Sequence, residues 1–300
     1  MSLILKADKP LDSEVRRVAS RYLVRARTVL EERPDGPHEA IHTARKQFKR
    51  VRSLYRLIAT ADRVFQKREN ERIGALGRHL RESRDATSLV ETAHRLADAA
   101  STAEERMAVN RVHQRLVARR DSVASAAATD DLIKEAIAIC ADALDAVDHF
   151  RFDAGPKRCA GILGEGWRRT GKKAALALRQ AADTGAADSF HSLRKRTQDR
   201  WVHCHFLAQA WPAALSSARR HAKHLAALLG ENQDIALLSD FADAHPHEIG
   251  PPEDLTHLIA VMTAEEGRLR AEALPLAAML FPKNARKDAE HIALLWRHAA

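Results

Sequence analysis

The sequence predicts an all-α fold, and three features of its composition support that prediction. The 300 residues include only 12 glycines and 10 prolines, the residue types on which hairpins and sheet turns depend. Good helix formers such as alanine, leucine, arginine and glutamate are abundant, whereas aromatic residues make up only 5% of the chain. No window alternates apolar and polar residues strictly enough to predict a strand.

The first half of the chain divides into six predicted helices. The segment Arg33–Pro37 contains two prolines and a glycine and therefore ends the first helix. Asp85 is of a residue type that caps helix N-termini, so we expect it to separate the third helix from the fourth. The predicted helices are Asp12 or Ser13 to Glu32, His38 to Ala59, Asp62 to Glu82, Asp85 to Ala99, Ala103 to Ala128, and Asp130 to His149.

A second set of helices follows Phe152–Pro156, a glycine- and proline-containing segment that is the best candidate for a domain boundary. We therefore expect domains at residues 1–150 and 151–300. Gly230 fits a helix C-cap, and Asp234 fits the N-cap of the next helix. The predicted helices are Pro156 to Asp183, Ala187 to Ala210, Ala213 to Leu229, one beginning at Asp234, Glu253 to Glu272, and Lys283 to the chain end.

The two halves resemble each other when the sequence is shifted by 149 residues. No gap is needed, which favours duplication of one helical unit. Each half has enough helices for a four-helix bundle. The fold class we predict is therefore all-α, with two four-helix bundles arising from an internal duplication. The matching pairs are His42 and His191, Arg45 and Arg194, Lys46 and Lys195, Leu76 and Leu225, Leu80 and Leu229, Asp85 and Asp234, and Leu89 and Leu238.

The helix predicted over residues 38–59 has an entirely cationic polar face. Every charged residue between Glu39 and Asp62 is Lys or Arg, although like charges at i,i+4 destabilise a helix. Together with a net charge of +9, this predicts an anionic partner. The alternative is a solubilising face, or one paired with acids of another helix. At 100° per residue, a stripe about 100° wide holds His42, Arg45, Lys46, Lys49 and Arg56.

The second copy of this face is weaker, because Gln198 stands where Lys49 stands in the first. Arg196 and Arg200 are expected to point away from it. The helix before each copy adds further candidates, for which a solvated surface is the alternative interpretation. The additional candidates are His191, Arg194 and Lys195 in the second copy, Arg21 and Arg25 before the first, and Arg168 and Lys172 before the second.

The segments around these faces resemble the CHAD family, the conserved-histidine α-helical domain. HTARKQFKRVRSLYRLI and FHSLRKRTQDRWVHCHFL resemble its two signature helices, and LGRHLRESRDATSL and LAALLGENQDIALL resemble its other two recurring stretches. The resemblance implies two bundles related by a pseudo-twofold axis. It also implies that the protein binds inorganic polyphosphate in a basic groove, often at polyphosphate granules. The contacts that the resemblance implies are His42, His191 and the basic positions, which include Arg52. Gln198 and Val202 depart from the family pattern, so the second half is expected to bind less tightly.

The resemblance does not predict a catalytic activity for this sequence. Many relatives carry a triphosphate tunnel domain, but its Glu-x-Glu-x-Lys strand motif is absent from this sequence. His38-Glu39-Ala40-Ile41-His42 matches the zinc-protease motif. However, it lies at the start of a helix and runs into Lys and Arg, which would repel Zn²⁺. We therefore predict a protein that is not an enzyme and has no catalytic residue, metal site or cofactor.

Non-specific nucleic-acid binding is the main alternative function, since a basic helical protein would attract any polyanion. Against it, single-stranded binders stack bases on aromatic side chains, and the cationic stripe contains none. The N-terminal apolar run is too short for a signal peptide, and no stretch is long enough to span a membrane. Three cysteines without metal-clip spacing favour isolated, buried thiols in a reducing cytoplasm. The predicted location is the cytoplasm, at polyphosphate granules if the resemblance holds.

Overall fold

Helices joined by short connections make up the chain, and the described residues contain no strand. The computed structural model describes residues 3–123, 126–282 and 284–300, with the backbone alone for 81–85, 123 and 126–128. Within that part the helices are α1 (Leu11–Glu32), α2 (Pro37–Leu57), α3 (Arg63–Ala99), α4 (Ala103–Val123), α5 (Ala126–Asp148), α6 (Pro156–Thr184), α7 (Ala187–Phe206), α8 (Pro212–Ala244), α9 (Pro246–Ile249), α10 (Pro252–Leu280) and α11 (Ala285–Ala299). The predicted all-α class is confirmed.

Two predicted helix breaks are wrong. Asp85 lies inside the 37-residue helix α3, and Asp234 lies inside the 33-residue helix α8 together with Gly230. In α8 the buried residues Leu225, Leu228 and Ile235 continue at helical spacing through the predicted break. Burial of that continuous apolar stripe outweighs the preference of a single Asp or Gly for a helix end.

The N-terminal caps also differ from prediction. Helix α1 begins at Leu11 after Pro10, and neither Asp12 nor Ser13 caps it. Instead, the Asp12 carboxylate forms an ion pair with Arg16 one turn later. Asp62 does cap α3, because its side chain accepts a hydrogen bond of 2.9 Å from the Phe65 amide.

Two hydrophobic cores hold these helices together, and neither is confined to one half of the sequence. The first core contains α1, α2, α5 and α11, and the second contains α4 and α10. Helices α3, α6, α7 and α8 contribute to both cores. Each of them contributes to one core near one of its ends and to the other core near its other end. The boundary between the cores therefore does not coincide with residue 150. A division into domains at 1–150 and 151–300 remains a prediction from the sequence repeat.

The order of helix packing recurs along the chain. Helix α1 packs against α2 and α5, and α6 packs against α7 and α11 in the same way. Likewise α2 packs against α3 and α3 against α4, as α7 does against α8 and α8 against α10. Between these two sets, α4 contacts α10 and α2 contacts α7. The recurrence agrees with the internal repeat, while the duplication and its pseudo-twofold axis remain predictions.

Helices α2 and α6 approach closely where α6 presents a glycine. A Cβ placed on Gly166 would lie 1.8 Å from the carbonyl oxygen of Leu57 at the end of α2. Any side chain at this position would therefore force the two helices apart. No helix in the described part of the chain combines the length and the apolar character needed to cross a membrane. All three cysteines, at positions 140, 159 and 204, are free and buried, as the sequence predicted.

Candidate functional site

Helix α2 has the two faces that its sequence predicts. Ile41, Phe48 and Val51 are buried on its apolar face. On the opposite face Lys46 and Lys49 are exposed. The remaining members of the predicted stripe, which are half-buried, are His42, Arg45 and Arg56. The exposed ammonium groups can therefore meet an anion from solvent.

Two arginines of α2 lie against small residues of α3. Arg45 donates a hydrogen bond to the carbonyl oxygen of Gly77. Arg52 donates from Nε to Asn70 Oδ1 at 3.3 Å, and a Cβ on Gly74 would be 3.0 Å from its Nη2. Burial and the neighbouring Arg56 lower the pKa of Arg52 to about 10. Gly74 of α3 thus leaves room for the Arg52 guanidinium, whereas Arg45 bonds to the backbone of α3 at Gly77.

Arg56 has a partner that the sequence did not reveal. Its Nη1 donates to Asp199 Oδ1 at 2.8 Å, and Arg196 lies 2.9 Å from the other oxygen of the same carboxylate. Asp199 is buried, which disfavours its charge, yet the attraction of Arg56 and Arg196 keeps its pKa below the usual value. One end of the cationic stripe is therefore neutralised by an acid of α7, as the alternative interpretation allowed. Arg196, which the sequence placed off the stripe of α7, shares this acid with Arg56.

More cations surround this buried carboxylate. Burial, followed by repulsion from Arg196 and Arg169, lowers the pKa of Lys173 on α6. Arg168 instead forms an ion pair with Glu165, at 2.7 Å, one turn earlier in the same helix. Lys172 is exposed. Of the two candidates predicted on α6, Arg168 is thus paired within its own helix, and Lys172 faces solvent.

The two signature helices cross in antiparallel directions. Arg56 pairs with Asp199, and His203 donates from Nε2 to the carbonyl oxygen of Ser53 at 2.9 Å. Later residues of α2 thus lie beside earlier residues of α7. His42 lies three turns before this crossing, a distance of about 16 Å along α2 at about 1.5 Å per residue.

The second histidine lies on the far side of the crossing. His191 is about 18 Å before His203 on α7, in the opposite direction. The two histidines are therefore at opposite ends of the α2–α7 pair rather than side by side. Both are half-buried.

The N-terminal half of α7 resembles that of α2 in its packing. The Arg194 guanidinium lies against α8, with Nη2 at 3.6 Å from the position of a Cβ on Gly230. Arg194 is half-buried, and Lys195 is exposed. In each signature helix, therefore, an arginine lies beside a glycine of the next helix, and the lysine that follows it is exposed. Arg45 bonds to the Gly77 carbonyl, and Arg194 lies near Gly230.

The two candidates on α1 have different surroundings. Arg21 is half-buried, whereas Arg25 is exposed at the rim of a cavity that also involves α2, α7 and α8. Arg50 and Arg219 line the same cavity. Sequence reasoning missed these two, because Arg50 lies 80° from the His42 position on the helical wheel and Arg219 belongs to another helix. Only the packing of four helices brings them together.

Comparisons with protein families and with solved structures each find a match to this chain. The model of one protein family, described as the CHAD domain, matches residues 15–243. A similar solved structure is the CHAD domain from the plant Ricinus communis, which is 17% identical. The alignment covers 97% of this chain and 94% of that chain, with a TM-score of 0.47. Comparison with curated proteins finds no match.

Proposed function

The chain belongs to the CHAD domain family, and on that premise we propose that it binds inorganic polyphosphate along the basic faces of α2 and α7. The observation that carries the proposal is the face of α2 from His42 to Lys49. Lys46 and Lys49 are exposed there, beside the half-buried Arg45, and no acid occurs in the sequence between Glu39 and Asp62.

Polyphosphate suits such a surface because it is a chain of anionic groups without bases. Guanidinium groups can each contact two phosphate oxygens, and ammonium groups act as compact point charges. Stacking on aromatic rings is not needed. The only aromatic residues in α2 are Phe48 and Tyr55, and both are buried in the core. This arrangement favours polyphosphate over single-stranded nucleic acid, which remains the alternative ligand.

The proposed contacts differ in how much of their charge is available. We assign the main contacts to Lys46, Lys49 and Lys195, which are exposed, and supporting contacts to Arg45 and Arg194. Arg56 and Arg168 contribute less, since each already forms an ion pair. The weaker second copy then follows from Gln198 in place of a lysine. We further propose that the protein binds polyphosphate without chemical turnover, in the cytoplasm and at polyphosphate granules.

Substitution of the two exposed lysines of α2 tests the proposal. Lys46→Glu with Lys49→Glu reverses two charges on a solvent-facing surface and should leave the fold intact. We expect the affinity for long-chain polyphosphate, measured by calorimetric titration, to fall by a factor of about 100, since each charge reversal removes one attraction and adds one repulsion.

The matched control reverses two exposed lysines elsewhere, Lys157→Glu with Lys287→Glu. This control changes the net charge equally but should reduce the affinity much less. Equal losses in the two double variants would show that binding depends on total charge and not on α2. Unchanged affinity in a folded Lys46→Glu, Lys49→Glu variant would exclude the α2 face.

A further inference from the structure

A small cavity lies between α1, α2, α7 and α8. Its volume is about 250 Å³. This is large enough for a small anion but too small for a polyphosphate chain that is folded back on itself. Arg25, Arg50 and Arg219 line it, each from a different helix. Tyr22 and Trp201 contribute aromatic walls, and His205 completes the polar lining.

The charges in this cavity have no matching acid. None of the residues that line it is acidic, and in the described part of the chain neither Arg25 nor Arg219 forms an ion pair. Arg50 is held by a neutral group, donating to Gln47 Oε1 at 2.9 Å, with its guanidinium 5.5 Å from the centre of the Tyr22 ring. Burial and then Arg219 and Arg50 lower the pKa of His205 to about 4, which agrees with a positive potential in the cavity.

The 149-residue repeat supplies an internal comparison. Position 50 corresponds to position 199, so that Arg50 stands where the other copy has Asp199. Position 205 corresponds to position 56, so that His205 stands where the other copy has Arg56. At the first of these two locations Asp199 is buried and balances Arg56 and Arg196. At the second, Arg50 stands in place of the acid, while Gln47 and His205 stand in place of the two arginines, so this location has no carboxylate of its own.

The presence of three arginines limits the chemistry of an anion that could bind in this cavity. They line it from α1, α2 and α8. A carboxylate is planar, with two oxygens and one charge, so it would satisfy one or two of them. A phosphate group has three or four oxygens in tetrahedral directions and carries between one and two negative charges. It can therefore accept hydrogen bonds from three arginines at once.

We propose that this cavity binds a single phosphate group, either in a small free phosphate such as pyrophosphate or at the end of a polyphosphate chain. Arg25, Arg50 and Arg219 contact its oxygens, and the neutral His205 ring offers one more hydrogen bond. The residues that line the cavity do not include the exposed lysines Lys46 and Lys49. A small phosphate would bind here even if long polyphosphate did not bind to that surface.

Calorimetric titration with pyrophosphate tests the cavity. Arg219→Gln removes one lining cation from an exposed position of α8, and Arg220→Gln removes an equal charge from the next, equally exposed position, which does not line the cavity. We expect Arg219→Gln to weaken pyrophosphate binding by a factor of about 10, since a charge-assisted contact is lost. Arg220→Gln should stay within about twofold of wild type.

Failure of this proposal is distinct from failure of the polyphosphate proposal. No pyrophosphate binding by wild type, or equal weakening by Arg219→Gln and Arg220→Gln, would overturn the cavity site whatever long polyphosphate does. Pyrophosphate binding that Arg219→Gln weakens would support it even in a protein that failed to bind long polyphosphate.

Competition separates the two sources of the phosphate group. Displacement of pyrophosphate by ordinary polyphosphate, but not by polyphosphate with blocked ends, would support chain ends as a ligand. Displacement by neither would support free small phosphate. Equal displacement by both polymers would mean that phosphates inside the chain occupy the cavity, and that result would overturn a site for a single terminal group.

Discussion

At the scale of single residues, Asp199 determines how much of the basic surface is available to a ligand. It is buried and carries the negative charge that Arg56 and Arg196 share. Helical periodicity predicted Arg56 as part of the cationic stripe, and the structure places it there. Its pairing with an acid 143 positions away was not predictable, because periodicity describes one helix and not the side chains of its neighbour.

Replacement of this carboxylate should destabilise the fold. Asp199→Asn leaves Arg56 and Arg196 close together without the charge between them. We expect a loss of about 3 kcal/mol in the free energy of unfolding, the usual cost of breaking a buried ion pair by removing one partner. Urea denaturation of both proteins at neutral pH measures the difference.

Asp188→Asn on the same helix is the control for this substitution. Asp188 is exposed in the first turn of α7, and its replacement should cost less than about 1 kcal/mol. Because the folded pKa of Asp199 lies below its ordinary value, the stability it contributes is present above pH 3.8 and is lost as pH falls through the folded pKa. The difference in the free energy of unfolding between wild type and Asp199→Asn should therefore become smaller in acid. A difference that does not change with pH would contradict the role of the charge.

His203 predicts a second dependence on pH. It is fully buried at the α2–α7 crossing, and burial lowers its pKa from 6.5 to about 4. A depressed folded pKa means that the neutral ring is favoured, so the associated stability is complete above pH 6.5 and is lost as pH falls toward 4. We expect NMR titration of the folded protein to show the His203 ring still neutral at pH 5. A midpoint near 6.5 would contradict its burial at the crossing.

At the scale of helices, the position of each element was predictable but some ends were not. The composition and the proline- and glycine-containing segments placed α1, α2, α6 and α7 close to their observed bounds. The predicted ends at Asp85 and Gly230 were wrong, because α3 and α8 extend from one core to the other. A capping residue inside a helix is tolerated when tertiary contacts continue on both sides of it.

The close approach of α2 and α6 makes a prediction about glycine. Gly166→Ala should place a methyl group where the Leu57 carbonyl oxygen lies, at a cost of about 3 kcal/mol or more. Gly161→Ala, in the same helix with no atom within 4 Å of the added carbon, should be neutral or slightly stabilising. Thermal unfolding followed by circular dichroism compares the two. Equal melting temperatures would show that the helices do not meet at Gly166.

At the scale of the whole molecule, the two halves of the sequence depend on each other. Helix α4 contributes Val109, Val112 and Leu116 to a core whose other helical members come from α3, α6, α7, α8, α9 and α10. Between α4 and α10, Arg111 and Arg115 both bond to the buried carboxylate of Asp254. The repeat was visible in the sequence, but this exchange of contacts between halves was not, since a repeat does not say which copy a helix packs against.

Separate expression of the halves tests this dependence. Residues 1–150 alone would expose the apolar side of α4 and lose the partner of Arg111 and Arg115. We expect that fragment to lack a cooperative unfolding transition, and a mixture with residues 151–300 to regain one. Cooperative unfolding of the first fragment by itself would show that each half forms its own domain.

The most direct measurement of the central claim is titration with long-chain polyphosphate at about 50 and about 200 mM salt, with duplex DNA as a competitor at equal phosphate concentration. Binding through several lysines and arginines releases counterions, so we predict an affinity lower by a factor of about 100 or more at the higher salt concentration. We also predict that DNA displaces little of the polyphosphate. An affinity that does not change with salt, or complete displacement by DNA, would contradict the assignment of the basic faces to polyphosphate.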